Sequence, residues 1–321
     1  MTAVTQYAAA HPGIGIAAAT FTSQDSQTEY FDCQAESRFD LGSITKVFTA
    51  LLLCEAVIEG LCRLEDPAEK HLAAPFPTYK GNVIALRHLA THTSALPRLP
   101  KEMYIRDVSS LQPYKDWDRN RLIKALGAMR LSRMPGSTYL YSNYGFGLLG
   151  AIVESIRGAS YQQLVESLTD RLGCPGIRLF RPGDEPLTAK GKVIPRWEMA
   201  AFSPAGAATA TLSDLVAFGR LALDPSRNPA IEMSLKPQGA FAVQKSLLRT
   251  PLKSLLSGRP STQTMGLGWH YAGDIVWHNG GVAGFRSFLG LQPSTGRGVA
   301  ILAAHEESVD ALGMQALRSP D

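Results

Sequence analysis

A serine and a lysine three residues apart, Ser43 and Lys46, open an apolar segment that ends at Ile58. Three residues are close to one helical turn, so both side chains share a face of the predicted helix. A lysine in a partly desolvated cleft loses basicity and can accept the serine proton. N–H groups at a helix start also stabilise developing negative charge. Alone, this spacing is equally compatible with a capping serine and a surface lysine.

A second candidate group is Tyr141-Ser142-Asn143, which precedes a Gly-containing helical segment. A tyrosine hydroxyl near a lysine ammonium can share or lose its proton, so it can act as a base toward the serine and as an acid toward a leaving group. The amide of Asn143 can hydrogen-bond both Lys46 and a substrate carbonyl. By itself, the group is more typical of a turn in which Asn143 caps the next helix and Tyr141 packs in the core.

A third candidate group, His278-Asn279-Gly280-Gly281, follows a short apolar run. Consecutive glycines beside a strand allow a substrate to approach the backbone closely, so Gly280 and Gly281 are expected to line the substrate site. The N–H of Gly281 can then pair with that of Ser43 as an oxyanion hole. Alone, this group is also typical of an ordinary hairpin turn.

Hydrophobic periodicity predicts the elements that position these groups. Short apolar runs near both ends of the chain predict strands, and apolar residues at three- and four-residue steps predict helices in the middle. Ser160 with Gln163, and Thr211 with Asp214, are typical helix starts. The predicted strands are 14–22, 28–33, 266–271, 275–278, 285–292 and 298–304, and the predicted helices are 43–58, 118–129, 146–156, 161–172 and 212–223.

This distribution predicts an α/β (α+β) fold, in which an antiparallel sheet is built from both termini and flanked by helices, with an inserted, mostly helical lobe. We place the α/β domain at 1–62 and 206–321 and the lobe at 63–205. The active site is expected in the groove between them, where ligand sites commonly form.

The three groups in this order resemble the serine β-lactamase and penicillin-binding-protein superfamily, for which Ser-x-x-Lys is a known element. The resemblance is strongest to the class C β-lactamase-related branch, which includes D-alanyl-D-alanine carboxypeptidases, D-aminopeptidases, carboxylesterases and transacylases. It covers nearly the whole chain and includes the connecting segments 60–67, 86–94, 135–139, 204–207, 265–269 and 284–287.

The resemblance implies that Ser43 is the acylated nucleophile, Lys46 its proton partner and Tyr141 the general base and acid. Asn143 is then a positioning residue, and the N–H groups of Ser43 and Gly281 form the oxyanion hole.

The chain departs from the family pattern at His278, where β-lactamases of this branch usually carry lysine. Histidine near its reference pKa of about 6.5 is mostly neutral at pH 7, so it offers a weaker fixed charge for a substrate carboxylate. A neighbouring charge could keep it protonated, and His278 could assist Tyr141 in deacylation.

Other ionisable residues are not expected to take part directly in the reaction, with His305 left as a candidate. His88 and His92 are four residues apart but lack an acidic or cysteine partner, so we expect buried hydrogen-bonding histidines in a loop that supports the site, and no metal. His270 could line the groove or end a late strand, and we favour the second; His305 is a candidate beside the site. Glu166 is expected to be a helix-face carboxylate, because nothing near it matches the deacylation motif of class A β-lactamases.

Composition narrows the class of protein. The chain has 32 Lys and Arg against 28 Asp and Glu, a formal net charge of +4, without basic blocks, so we expect no nucleic-acid partner. No apolar run reaches the length of a membrane span. The opening residues lack the basic n-region of a signal peptide, which predicts a cytoplasmic protein, or a periplasmic one if a leader has been removed.

The function predicted from these observations is hydrolysis of an ester or amide through an acyl-enzyme on Ser43. The expected partner is a small ester, amide or lactam. No cofactor is implied, and the oligomeric state is left open. The alternatives are a β-lactamase or D,D-peptidase, an acyltransferase or thioesterase in a biosynthetic pathway, and a binding protein that has lost turnover.

Overall fold

The structure is a computed structural model that describes residues 1–106, 111–181, 188–189, 192–193, 196–244 and 261–319. Its α-helices are α1 (Thr2–Ala10), α2 (Thr45–Ile58), α3 (Glu69–Leu72), α4 (Leu86–Ala90), α5 (Lys101–Arg106), α6 (Arg119–Lys124), α7 (Asn143–Arg157), α8 (Tyr161–Arg171), α9 (Ser203–Gly206), α10 (Leu212–Leu223), α11 (Pro229–Leu235) and α12 (Asp310–Arg318). Short 3-10 turns occupy Gly42–Ile44, Ala125–Ala128, Ala200–Phe202 and Pro225–Arg227.

The strands are β1 (Ile16–Phe21), β2 (Ser26–Phe31), β3 (Phe39–Asp40), β4 (Thr138–Tyr139), β5 (Arg178–Leu179), β6 (Thr188–Ala189), β7 (Lys192–Val193), β8 (Ala208–Ala210), β9 (Gly239–Val243), β10 (Thr262–Met265), β11 (His270–Ala272), β12 (Ile275–Val282), β13 (Phe285–Gln292) and β14 (Arg297–Ala303). The main sheet has the order β2-β1-β14-β13-β12-β11-β10-β9-β4. β1 pairs antiparallel with β14, which confirms that the sheet is assembled from both ends of the chain. The predicted fold class is therefore confirmed.

Helix α2 lies at the centre of the molecule. Every residue from Thr45 to Cys54 is buried, because the helix is apolar on all sides and packs against α7, α8, α9 and α11. Its buried polar residues have partners; the hydroxyl of Thr49, for example, donates to the carbonyl of Pro204 at 2.7 Å. Lys46, which has a basic side chain, is buried in this core as well.

Helix starts follow the capping rules closely. Ser160 and Gln163 form a capping box at α8, and the hydroxyl of Thr211 accepts the N–H of Asp214 at α10. Ser142 caps α7 in the same way, through the N–H of Gly145 at 2.8 Å. The predicted span of α10 agrees with the structure residue for residue.

Two predicted elements are corrected. Residues 266–269 form a turn between β10 and β11 instead of a strand, because Gly268 has a φ of +75° that breaks the extended run. Ser43 lies in a 3-10 turn that precedes α2 and not in the helix itself. Helix α1 was not predicted. In the described residues, none of the helices combines the length and the apolarity needed to cross a bilayer.

Candidate active site

The turn that carries Ser43 is packed directly against strand β12. Gly42 precedes the serine with a φ of +49°, and a Cβ at this position would lie 2.7 Å from the nitrogen of Gly281. Only glycine permits both this conformation and this approach. The hydroxyl of Thr45 fixes the other side of the turn, since it donates to the carbonyl of Gly42 at 2.6 Å and accepts the N–H of Ala208 at 2.9 Å. The backbone at Ser43 and Gly281 is thereby held together.

Gly280 serves a packing role that the sequence did not reveal. A Cβ on Gly280 would lie 1.9 Å from the carbonyl oxygen of Leu41 and 2.3 Å from the hydroxyl of Ser287. That hydroxyl donates to the same Leu41 carbonyl at 2.7 Å. Gly280 was expected to let a substrate approach; it lines the cleft and also lets the nucleophile turn approach β12.

Gly280→Ala is expected to lower the free energy of unfolding by about 1–3 kcal/mol, because the added methyl group overlaps backbone that cannot move independently. Gly281→Ala is the matched control: its Cβ would meet Arg286 side-chain atoms at 3.4–3.5 Å, which is ordinary contact. Chemical denaturation of both variants measures the difference. Equal stabilities would show that the turn is not packed on β12 as described.

Lys46 points from the first turn of α2 toward the serine. Its Nζ lies 3.0 Å from the Oγ of Ser43 and donates to the carbonyl of Ala205 at 2.6 Å. The side chain is fully buried, and Nζ lies 4.8 Å from the centre of the Tyr141 ring. Burial, together with the positive charge of Arg98, holds the pKa of Lys46 well below its usual range. The amine therefore gives up its proton at a lower pH than an ordinary lysine does.

The phenol of Tyr141 lies within hydrogen-bonding reach of the Ser43 side chain. Burial raises the pKa of Tyr141 to about 12, although the bond to Ser43 and the charge of Arg98 both act to lower it. The resting group is thus a neutral phenol. The predicted Ser43, Lys46 and Tyr141 are brought together by the fold.

His92 holds Tyr141 in place. Sequence analysis expected a buried, hydrogen-bonding histidine in a loop that supports the site, but not its contact with Tyr141. Its carbonyl accepts the N–H of Leu140 at 2.8 Å, and its Nδ1 accepts the N–H of Ser142 at 3.0 Å. The ring also packs 4.3 Å from the ring of Tyr141. His92 has a φ of +59°, which is uncommon for a side-chain-bearing residue. The sequence signal that could have pointed to His92 was its four-residue spacing from His88. His88 itself accepts the N–H of Ala85 and does not contact Tyr141 in any hydrogen bond of the described residues.

Asn143 lies beside the site at the first position of α7. Its Nδ2 donates to the hydroxyl of Tyr114 at 3.4 Å. Its Oδ1 is buried and has no hydrogen-bond partner among the described residues. The predicted bond between Asn143 and Lys46 is therefore not formed, because the lysine amine is directed to Ser43 and to the Ala205 carbonyl.

A cleft of about 700 Å³ opens above these residues. Its walls are polar and aromatic, and they include Ser43, Arg98, Tyr139, Tyr141, Trp197, His270, Trp277, Asn279, Gly280, Gly281, Arg286, Glu306 and Asp310. Strand β11 pairs with β12 only at Ile275–Trp277, so the backbone of β12 from 279 to 281 has no β11 partner on that side.

Comparison with known sequences identifies the family. The family described as Beta-lactamase matches residues 3–318, nearly the whole chain. The chain belongs to the beta-lactamase family.

Two curated relatives are similar to parts of this beta-lactamase-family chain. The D-alanyl-D-alanine-carboxypeptidase/endopeptidase AmpH of Escherichia coli strain K12 is 36% identical over 141 residues, which are 43% of this chain and 35% of that protein. Protein flp of Staphylococcus aureus strain MW2 is 25% identical over 293 residues, 83% of this chain and 53% of that protein. The matches thus span about a third to a half of the relatives' length.

Solved structures show the same beta-lactamase-family fold. A beta-lactamase/D-alanine carboxypeptidase from Yersinia pestis complexed with citrate has a TM-score of 0.78 at 20% identity, covering 95% of this chain and 92% of that one. A D-stereospecific amidohydrolase from Streptomyces has a TM-score of 0.74 at 22% identity, covering 98% and 97%. At these identities the likeness concerns the fold alone.

His278 lies inside strand β12 of this beta-lactamase-family chain. The side chain is fully buried, and its Nδ1–H donates to the carbonyl of Asn279 at 2.6 Å. Burial, His270 and Lys46 hold its pKa well below the usual range, although the bond to Asn279 acts to raise it. The lowered pKa favours the neutral imidazole, which agrees with the weak fixed charge expected of histidine at this position.

Three other residues are placed by the structure. His270 lines the cleft, contrary to the prediction that it only ends a strand; it contacts His278 at 4.9 Å between ring centres, and burial lowers its pKa to about 4. His305 lies beside helix α1, where its Nδ1 is 3.3 Å from the hydroxyl of Tyr7. Glu166 pairs with Arg181 at 2.6 Å on the face of α8, as expected for a helix-face carboxylate.

Proposed function

We propose that this protein is a serine hydrolase that cleaves an ester or amide bond through an acyl-enzyme on Ser43. The observation that carries the proposal is the pair of contacts on one hydroxyl: the Lys46 amine at 3.0 Å and the Tyr141 phenol, at the base of an open cleft. A hydroxyl becomes a nucleophile when an adjacent base takes its proton.

In acylation, the uncharged amine of Lys46 accepts the Ser43 proton as Oγ forms a bond to the substrate carbonyl carbon. The contacts fit this role, because the Nζ of Lys46 donates to the Ala205 carbonyl at 2.6 Å and also lies 3.0 Å from the Oγ of Ser43. Tyr141 was expected to be the base, but a pKa of about 12 makes its phenolate scarce. We therefore assign proton acceptance to Lys46.

We assign stabilisation of the negative charge on the substrate oxygen to the N–H groups of Ser43 and Gly281. The packing of Gly42 against Gly281 supports this role, since it holds the two backbone segments in contact. Donors fixed before reaction stabilise such an oxyanion without reorganisation.

Collapse of the intermediate breaks the bond from the carbonyl carbon to the leaving nitrogen or oxygen. The Tyr141 phenol gives its proton to the leaving group and is restored from the Lys46 ammonium. In deacylation, water loses a proton to Lys46 as its oxygen bonds to the ester carbonyl carbon. The bond from that carbon to the Oγ of Ser43 then breaks, and the Lys46 ammonium returns the proton to Oγ. Each step uses groups already in contact with the Ser43 hydroxyl.

The proposal is tested by covalent labelling. Incubation with a fluorophosphonate is expected to add one probe per chain, mapped by peptide mass spectrometry to Ser43, and Ser43→Ala is expected to remove the adduct. Hydrolysis of nitrocefin and of a neutral phenyl ester by the same two proteins then separates β-lactam from ester substrates. A chain that forms no Ser43 adduct with any of these reagents would be a binding protein without turnover.

Peptidase activity on D-alanyl-D-alanine peptides is a second candidate. It is favoured by the 36% identity to AmpH, whose name describes a D-alanyl-D-alanine carboxypeptidase and endopeptidase. Ser43-dependent release of D-alanine from such a peptide would support it. Turnover of the phenyl ester without release of D-alanine would restrict the function to esters.

The pH dependence of acylation reports on Lys46. Because the base form is needed, kcat/KM for a neutral ester is expected to fall as pH drops through the lowered pKa of Lys46, and to reach its plateau well below pH 10.5. Initial rates between pH 5 and 11 give the profile. A logarithmic slope of one that continues up to pH 10.5 would show an ordinary lysine and would contradict this assignment.

A further inference from the structure

Arg98 lines the cleft, and its guanidinium has no hydrogen-bond or ion-pair partner in the part of the chain that the structure describes. Its side chain is exposed, and the guanidinium carbon lies 5.1 Å from the centre of the Tyr141 ring. Other arginines, such as Arg157 with Glu59 at 2.7 Å, have carboxylate partners within the chain. A guanidinium left open beside a reacting group is therefore unusual in this molecule.

The backbone around Arg98 is tied to the Tyr141 segment. The carbonyl of Arg98 accepts the N–H of Tyr144 at 3.1 Å, and the preceding carbonyl of Pro97 accepts the hydroxyl of Ser142 at 2.6 Å. Leu99, which follows, is buried. Arg98 is thus held at a fixed place beside Tyr141, which lowers the entropy lost when it binds a ligand.

The other arginine that lines the cleft, Arg286, has one of its nitrogens occupied by backbone carbonyls. The Nη1 of Arg286 donates to the carbonyls of Val282 and Phe285 at 2.9 and 2.7 Å. The adjacent carboxylate of Asp310 accepts the amide of Asn279 at 2.7 Å.

Neither the histidines of the site nor Glu306 supplies a positive charge to the cleft. His278 and His270 are neutral because burial lowers their pKa values. Glu306 is exposed at the wall of the cleft and is negative, so it cannot attract an anion.

We infer that Arg98 binds a carboxylate on the leaving group of the substrate. Arg98 would thereby supply the positive charge that was considered for His278. The inference rests on the proposed function, in which Tyr141 protonates the leaving group, because Arg98 lies against the Tyr141 ring. A guanidinium offers two parallel N–H donors that match a carboxylate.

The test compares 3-carboxyphenyl acetate with 3-carbamoylphenyl acetate, which share an acyl group and differ in one charge. Arg98→Gln is expected to lower the ratio of kcat/KM, anionic over neutral, by about tenfold, mainly through KM, and Arg98→Lys is expected to restore part of it. The intrinsic reactivities of the two esters cancel when the variants are compared. The wild-type ratio should also fall as salt is added.

Arg227→Gln is the matched control, since Arg227 is an exposed arginine paired with Asp224 outside the cleft and its replacement removes the same charge. An unchanged ratio in Arg98→Gln, or an equal loss in Arg227→Gln, would overturn the inference, as would a loss found only in Arg286→Gln. Failure of the proposed function is distinguishable: the neutral ester would then show no hydrolysis that depends on Ser43.

Discussion

Lys46→Met is expected to lower kcat/KM for a neutral ester by at least about a hundredfold, the usual scale for removing a general base. Methionine has a similar length and no basic group, so Ser43 keeps its place and loses its proton acceptor. The amine of Lys46 is the group that both contacts Ser43 and can be neutral, because burial lowers its pKa. Pre-steady-state acylation by a chromogenic ester measures the loss directly.

The structure also predicts that Lys46→Met folds. The replacement removes a group that is costly to bury and places an apolar side chain in an apolar helix, so the melting temperature should be retained or raised. Lys236→Met serves as the control, since Lys236 is exposed and pairs with Glu232 on the surface. Near-normal acylation by a folded Lys46→Met protein would show that another group accepts the Ser43 proton.

Tyr141→Phe is expected to reduce turnover by a similar factor, at least about a hundredfold, through loss of the proton given to the leaving group. The phenyl ring retains the packing against His92, so geometry is preserved while the bond to Ser43 is lost. The loss should be largest for amides and smallest for esters with acidic phenols, which leave without a proton. Rates for a series of phenyl esters give this dependence.

Tyr144→Phe is the matched control for removing a buried tyrosine hydroxyl. That hydroxyl donates to the carbonyl of Leu122 at 3.0 Å and lies outside the cleft lining. Its removal is expected to cost about 1 kcal/mol of stability and to leave kcat/KM unchanged. If Tyr141→Phe lost no more activity than Tyr144→Phe, the phenol would have no part in proton transfer.

Much of the site could be predicted from sequence because its residues sit at element boundaries with local signals. Ser43 and Lys46 are one turn apart, Ser142 caps α7, and the two glycines come shortly after His278 in β12, which extends to Val282, beyond its predicted end at His278. Each of these depends on neighbours in the chain. The order of the groups then indicated the family, and with it the fold.

The remaining features depend on contacts between distant segments. His92 and Arg98 act on Tyr141 from a loop more than forty residues earlier, and nothing in their local sequence shows that approach. The charge of His278 is decided by its burial beside His270 and Lys46. Neither a contact between distant segments nor the charge of a buried histidine can be read from a local sequence motif.

The pairing of β1 with β14 has a consequence for how the protein reaches its native state. Ile16 lies opposite Ala303, so the central part of the sheet is closed by a contact between opposite ends of the chain. Such contacts raise the contact order, and closing long loops slows folding. During synthesis, the β1–β2 hairpin emerges from the ribosome early and keeps one edge unpaired until β14 follows. The nascent chain therefore passes through an aggregation-prone stage in which chaperones would be of use.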